Sequence, residues 1–145
     1  MDLRERIEEL ARNARTASRA VADLDTGHKD RWLLRSAERL AAARESILEA
    51  NQIDLREAEA RGVEAPLLRR LDLGGDKWNS MLEGLRQVAA LPDPVGTLSE
   101  TRVRPNGLRV GRMRIPLGVI AIIYESRPNV TVDAAALCVK AGNAV

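Results

Sequence analysis

Apolar residues recur every three or four positions through the N-terminal part of the chain and predict a series of amphipathic helices. The first spans residues 3–24. The second is long, from about His28 to Arg61, with Leu34, Ala41, Leu48 and Leu55 on one stripe and Gly62 as its stop. We expect the two helices to pair as a helical hairpin. A coiled-coil interaction module is the alternative, but alanine at half of the seam positions favours a layer of a globular enzyme.

Two further helices follow. Pro66 opens a short one that ends at Leu71, and residues 77–90 form the next, whose inward face is predicted to carry Trp78, Met81, Leu82, Leu85 and Ala89. We interpret Trp78 as a core residue rather than a stacking platform. His28, the only histidine, lies in a first helical turn and is predicted to be solvated rather than catalytic.

A proline-rich segment, residues 91–96, ends the helical region, and an Asn-Gly turn at residues 106–107 then predicts a β-hairpin. Its strands carry five arginines: Arg102, Arg104, Arg109, Arg112 and Arg114. This basic character raises the hypothesis of nucleic-acid binding. The hairpin has no aromatic residue for base stacking, however, so arginines on exposed or subunit-facing edges are the favoured interpretation.

From Ile115 to Val145 the chain reads as strand, polar turn, helix and the start of a second strand. The run from Leu117 to Ile123 is uncharged and rich in β-branched residues, which predicts a buried strand of a parallel sheet. The helix carries Val130, Ala134, Leu137, Cys138 and Ala141 at helical spacing, with Pro128 or Asn129 at its start and Gly142 at its stop.

Side chains that follow such a strand lie at the ligand-binding edge of an open α/β sheet. Glu125, Ser126, Arg127 and Asn129 are therefore the functional candidates; equally, Ser126 and Asn129 could cap the helix while Glu125 and Arg127 pair at the surface.

Composition narrows the function classes. The net charge is +2, and no apolar run approaches the roughly 18–20 residues that span a bilayer. The N-terminus lacks the pattern of a signal peptide, so we expect a cytoplasmic protein without a membrane or nucleic-acid partner. One cysteine and one histidine leave no cluster for a metal. Cys138 lies on an apolar helical stripe and is interpreted as a small core residue rather than a nucleophile.

The segment YESRPNVTVDAAALCVKAGNAV (residues 124–145) resembles the signature of the γ-glutamyl phosphate reductase family, in the aldehyde dehydrogenase superfamily. The resemblance continues through residues 84–96 and 104–118 and, more loosely, to the N-terminus. It implies an α/β fold of aldehyde dehydrogenase type, with N-terminal helices, a β-hairpin and the first βαβ of a doubly wound cofactor-binding sheet. The implied division is residues 1–96, the helical region of the cofactor domain; 97–115, the hairpin that associates subunits of a homo-oligomer; and 116–145, the truncated start of the dinucleotide-binding sheet.

The resemblance also implies a chemistry. Members of the family use NADPH and a cysteine thiolate to reduce γ-glutamyl phosphate to glutamate 5-semialdehyde, with release of phosphate, and the reactive cysteine is expected outside this chain. Ile122, Ile123, Tyr124, Glu125 and Ser126 map beside the nicotinamide ribose. Asn129 is the oxyanion candidate, although an alignment without a gap puts Arg127 at that position. Arg127 is otherwise a ligand for the substrate's phosphate or carboxylate.

Two hypotheses follow. The leading one is the N-terminal part of such a reductase, inactive without the remaining polypeptide; the other is a non-catalytic interaction or RNA-associating module built on the helices and the basic hairpin. Because the start of a parallel sheet leaves Leu117 to Ile123 with few neighbours, we also expect the chain to fold poorly by itself.

Overall fold

The computed structural model describes residues 2–145. Its elements, in chain order, are α1 (Leu3–Ala22), α2 (Thr26–Ala42), α3 (Arg44–Ala60), α4 (Ala65–Leu71), α5 (Asp76–Ala90), β1 (Leu98–Val103), β2 (Arg109–Met113) and α6 (Pro128–Lys140). The predicted order of helices, hairpin and final helix is confirmed. In this described part of the chain, no helix has the length and apolar character needed to cross a membrane.

Helix α5 lies at the centre of the core, between α2 and α6. Its buried residues are those predicted: Trp78, Met81, Leu82, Leu85 and Ala89. One end of the helix packs with Leu33 and Ala37 of α2 and Ala136 of α6, and the other end packs with Leu73. Trp78 is only 1% exposed, which confirms its interpretation as a core residue. The core therefore fixes the position of α6, the helix that follows the candidate site residues.

The single long helix predicted from His28 to Arg61 is wrong, because the chain breaks at Ala43 into α2 and α3. The Ala43 N–H is shared between Arg39 O at 3.0 Å and Leu40 O at 3.1 Å, so the helical hydrogen bonding tightens locally at this residue. Helix α3 then turns toward α4, where the buried Asn51 accepts from Leu73 N and donates to Leu71 O, both at 2.9 Å. The buried stripe of α2 contains Leu33 and Ala37 rather than the predicted Leu34 and Ala41.

The predicted pairing of the first two helices is also wrong. Helix α1 has no buried residue, and its apolar positions Leu3, Ile7 and Leu10 face away from the other described elements. The amphipathic pattern of α1 correctly predicts a helix. It does not indicate which surface the apolar stripe contacts.

Two ion pairs with buried lysines join distant parts of the chain to this core. Lys29 of α2 is 1% exposed and donates to both carboxylate oxygens of Asp93, at 2.9 and 3.1 Å. Lys140 of α6 is likewise buried; it donates to Asp30 and, at 2.9 Å, to Ala89 O. Neither lysine was predicted as a core residue, since lysine is almost never fully buried unless it is paired.

The hairpin is confirmed as two antiparallel strands, with Val103 opposite Arg109 and Leu98 opposite Met113. Gly107 adopts a φ of 85° in the connecting turn, the conformation for which glycine is favoured. Every residue of both strands is exposed, so neither face of the hairpin is covered by the described chain.

The predicted strand from Leu117 to Ile123 forms only in part. Val119 pairs in parallel with Ala144, and the Ala144 N–H donates to Gly118 O at 2.9 Å. This is the expected parallel contact on either side of α6. The prediction of a buried strand is wrong within the described residues, because Leu117 and Ile123 are exposed, the latter fully. The single bridge to Ala144 forms no sheet that a second layer could cover, which is the physical reason for the difference. Leu137, predicted on the inward stripe of α6, is also exposed.

Gly142, which ends α6, provides a test of this junction. It has a φ of 75°, and an added Cβ would lie 2.8 Å from Pro116 Cγ and 3.2 Å from Val95 Cγ2. We expect Gly142→Ala to lower the free energy of unfolding by about 1–3 kcal/mol or more, measured by urea denaturation. Gly62→Ala is the matched control, because Gly62 has the same φ with no atom within 4 Å of its Cβ position. Equal losses in the two variants would show that the contact with Pro116 contributes nothing.

Candidate active site

The candidate residues lie where the parallel segment ends and α6 begins. Arg127 is the N-cap of α6, yet no side chain caps the helix. The alternative in which Ser126 and Asn129 serve as helix caps is therefore wrong. Ser126 has a φ of 50°, an unusual conformation for a residue other than glycine. Pro128 has no N–H and Val130 N donates to Arg127 O at 3.0 Å, which leaves the Asn129 N–H at the rim without an acceptor among the described residues.

Asn129 instead bonds along its own helix. Its Nδ2 donates to Asp133 Oδ2 at 3.0 Å, across one turn of α6. A side-chain amide has two N–H donors, and this bond uses one of them. Asp133 therefore orients the amide while the second N–H remains for a ligand. A fixed amide donor is the group that stabilises an oxyanion in acyl transfer.

A groove of about 410 Å³ opens beside this pair, between the start of α6 and helices α4 and α5. Its lining residues are Arg70, Lys77, Ser80, Met81, Arg127, Asn129 and Asp133. The volume lies in the range of roughly 300–1,000 Å³ typical of small-molecule sites. Three cations against one carboxylate make the groove basic, so it favours an anionic ligand.

The structure brings Arg127 and Asn129 together in this groove but leaves Ile122, Ile123, Tyr124, Glu125 and Ser126 outside its lining. Those five residues follow the parallel contact at Val119 as a segment without regular structure. All are exposed except Ser126, and the Tyr124 hydroxyl contacts the Thr131 hydroxyl. The two sets of candidates thus occupy neighbouring surfaces at the end of the same strand.

Sequence reasoning missed the three charged groove residues Arg70, Lys77 and Asp133, and also Ser80. Arg70 and Lys77 flank the turn between α4 and α5, far from the signature segment in the chain, and nothing in their local pattern indicates a ligand. Asp133 carried a usable signal, because it lies four residues after Asn129 and side chains at that spacing meet on a helix.

Cys138 is not part of the groove. It is buried in α6, and desolvation raises the pKa of its thiol, which disfavours the thiolate that a nucleophile requires. Its interpretation as a core residue is confirmed. Within residues 2–145, no three side chains of histidine, cysteine, aspartate or glutamate are placed to bind a metal together.

The burial of Cys138 predicts slow chemical labelling. Cys138 is the only thiol in residues 1–145, and mass spectrometry of peptides from the labelled complete protein distinguishes it from any thiol elsewhere. We expect labelling of the folded chain to be about 100-fold slower than in denaturant, equivalent to an opening free energy of about 3 kcal/mol. The matched control is Leu137→Cys in a Cys138→Ala background, since Leu137 is the exposed neighbour. Equal rates at the two positions would contradict the burial of Cys138.

Known proteins resemble the chain over nearly its whole length. No protein-family model matches it. A curated relative, the γ-glutamyl phosphate reductase of Caldanaerobacter subterraneus subsp. tengcongensis, is 53% identical over 139 residues, which are 96% of this chain and 34% of that protein. The chain therefore spans about a third of the length of this relative.

Two solved structures resemble the fold described above. The γ-glutamyl phosphate reductase of Thermotoga maritima matches with a TM-score of 0.87 and 42% identity, over 93% of this chain and 33% of that one. The enzyme of the same name from Saccharomyces cerevisiae matches with a TM-score of 0.89 and 39% identity, over 93% and 34% of the two chains. These similarities confirm the expected fold class, that of the N-terminal part of such proteins. In sequence and in fold, the chain is therefore similar to the N-terminal third of γ-glutamyl phosphate reductases.

Proposed function

We propose that this chain is the N-terminal part of an enzyme that reduces L-glutamyl 5-phosphate to L-glutamate 5-semialdehyde and releases phosphate, the second step of proline biosynthesis. The cofactor would be NADPH. The observation that carries the proposal is the basic groove, in which Arg127 and Asn129 of the signature segment face cations from α4 and α5. The names of the relatives supply the substrate, and the charge of the groove suits a phosphorylated amino acid.

In this proposal, the residues of the chain bind and polarise the acyl phosphate, and a cysteine thiolate from polypeptide beyond residues 1–145 attacks its carbonyl carbon. The free N–H of Asn129 donates to the oxygen that becomes an oxyanion. The guanidinium of Arg127 pairs with the phosphate, or with the substrate carboxylate, for which its planar donors are suited. Phosphate leaves with the electrons of the broken bond and the cysteine retains the acyl group as a thioester.

The nicotinamide ribose would lie against Ile122, Ile123, Tyr124, Glu125 and Ser126. The fit rests on two observations: the apolar side chains of Ile122 and Ile123 are exposed, and within the described chain the peptide groups of residues 121–126 form no backbone hydrogen bond. An open apolar edge with free backbone donors and acceptors suits a cofactor ring and its ribose. When bound, the reduced nicotinamide would supply the hydride that converts the acyl group to the aldehyde.

The remaining parts of the proposal concern organisation. Residues 1–96 would form the helical region of the cofactor domain, and residues 116–145 would begin its sheet. The hairpin, residues 97–115, would associate subunits of a homo-oligomer. Its support is the uncovered pair of strands, since exposed strand edges readily pair with another chain. The enzyme would act in the cytoplasm on a small molecule, without a nucleic-acid or membrane partner.

The test is an assay of the protein encoded by the complete reading frame. We expect phosphate-dependent oxidation of glutamate 5-semialdehyde with NADP⁺, and much weaker activity with NAD⁺. A folded protein without this activity would contradict the proposal. Tight, salt-sensitive binding of RNA by the same inactive protein would instead favour the interaction module, because counterion release makes such binding depend on salt.

A further inference from the structure

We propose that the basic groove binds the amino-acid end of the substrate, with the α-carboxylate facing Arg70 and Lys77 and the α-ammonium facing Asp133. This inference rests on the proposed function, and it assigns specificity to Arg70 and Lys77, which lie outside the signature segment, together with Asp133 within it. Arg70 and Lys77 belong to helices that precede the cofactor sheet in the chain, so the helical region would contribute directly to substrate recognition.

The charges of the groove suit such a ligand. Among the ion pairs formed by the described residues, none includes Arg70 or Arg127, so neither guanidinium is neutralised by a neighbouring carboxylate. Most basic side chains of a surface are as free as these; what distinguishes them is that they line one concave space with Lys77. A concave surface of one charge concentrates its counter-ions, here the anionic groups of a small molecule.

Lys77 is held in place before any ligand arrives. Its ammonium donates to Asp72 O at 2.9 Å and to Arg69 O, the carbonyls at the end of α4. Two of its three protons are used in this way and the third remains available. A cation fixed at a helix C-terminus is favourably placed with respect to the helix dipole, and its orientation adds little entropy cost to binding.

Asp133 supplies the single negative charge. Its Oδ2 accepts from Asn129, which leaves Oδ1 for an ammonium group. An amino acid with a second anionic group has two negative sites and one positive site, and the groove has the inverse arrangement of cations around one carboxylate. Asp133 is thereby both a positioning residue for Asn129 and a contact for the substrate.

The position of Asn129 fixes the direction of the substrate. If the reacting carbonyl lies at the Asn129 amide, with its phosphate beside Arg127, the rest of the molecule must extend across the groove toward the opposite wall. That wall is formed by Arg70, Lys77 and Ser80. The α-carbon substituents therefore reach the cations of α4 and α5.

The first experiment replaces Arg70 in the protein of the complete reading frame. We expect Arg70→Gln to raise the KM for glutamate 5-semialdehyde by roughly 10–100-fold, as for the loss of a hydrogen bond to a charged group, with the KM for NADP⁺ unchanged. Arg69→Gln is the matched control, because Arg69 is the neighbouring basic residue of α4 and lies outside the groove. An unchanged KM for the semialdehyde, or an equal change in both variants, would overturn the inference.

The second experiment does not require activity. Ligand-observed NMR titrations compare L-glutamate with glutarate, which differs only in lacking the α-ammonium. We expect wild-type protein to prefer L-glutamate, Arg70→Gln to weaken both ligands about equally, and Asp133→Asn to remove the preference. If the proposed activity is absent but these results are obtained, the groove is an amino-acid site and only the proposed function fails. Binding of neither ligand, or the same preference in Asp133→Asn, would overturn the inference.

Discussion

Asn129→Ala is expected to lower kcat of the complete protein by about 10²–10³-fold, the usual consequence of removing one oxyanion donor. The structural reason is the fixed side-chain amide of Asn129. One of its two N–H groups donates to Asp133 at 3.0 Å, and this bond also fixes the direction of the second N–H. The hydrogen bond from Asn129 to the substrate's carbonyl oxygen strengthens as negative charge develops on that oxygen. The loss should therefore fall on kcat, with little change in the KM for NADP⁺. Steady-state kinetics with glutamate 5-semialdehyde, phosphate and NADP⁺ measure it.

Two further variants make this result specific. Asn79→Ala is the matched control, because Asn79 is an exposed asparagine of α5 that does not line the groove. Arg127→Ala distinguishes the two alignments of the signature segment. If Arg127 rather than Asn129 holds the oxyanion, its replacement should lower kcat more than Asn129→Ala does. A kcat within a few-fold of wild type for Asn129→Ala would remove Asn129 from the catalytic groups.

The largest loss of stability is expected for Asp93→Ala. Asp93 accepts from the buried Lys29, from Thr26 Oγ1 at 3.0 Å and from Val95 N at 2.9 Å. Removal of one partner of a buried ion pair leaves an uncompensated charge, which costs about 3–5 kcal/mol. Urea denaturation of the chain or of the complete protein measures this change in the free energy of unfolding. The double variant Lys29→Met/Asp93→Ala should recover much of the loss, because no charge is then stranded.

The same carboxylate predicts a dependence on pH. Desolvation is the largest influence on the pKa of Asp93 and raises it, but the hydrogen bonds from Lys29, Val95 and Thr26 and the charge of Lys29 together lower it below the ordinary value of 3.8. A lowered folded-state pKa contributes stability that is present above about pH 4 and is lost as the pH falls through the folded pKa. Asp93→Asn should flatten this acid limb. An unchanged limb would show that Asp93 is not linked to acid unfolding.

The sequence predicted helices and turns well where local chemistry decides them. The inward face of α5 was predicted residue by residue, because its apolar spacing is regular and it is covered on two sides. The hairpin followed from its Asn-Gly turn, and the end of α6 from Gly142. These features depend on short-range rules of backbone conformation.

Contacts between distant segments could not be predicted in the same way. Lys29, Lys140 and Asn51 are buried polar residues whose partners lie elsewhere in the chain. Judged by residue type alone, lysine and asparagine are expected at the protein surface. Leu117 and Ile123 were predicted to be buried and are exposed, for a related reason. A continuous apolar run indicates that a strand is covered on both faces, but it does not indicate which part of a protein covers it.

The sequence indicated one wall of the groove and not the other. The signature segment identified Arg127 and Asn129, which the structure brings into one groove. The opposite wall, with Arg70 and Lys77, arises from the packing of α4 and α5 against α6 and has no sequence motif of its own. Surfaces that are assembled from separate elements are visible only once the elements are in place.

The central claim is that the end of the parallel segment, residues 122–129, faces both the cofactor and the reacting carbonyl. A crystal structure of the complete protein with NADP⁺ and L-glutamate tests it most directly. We predict that the nicotinamide ribose lies against residues 122–126 and that the Asn129 amide is directed at the side-chain carboxylate of glutamate. The α-carboxylate of glutamate should lie at Arg70 and Lys77. A nicotinamide bound away from residues 122–129, with the groove empty, would contradict the account.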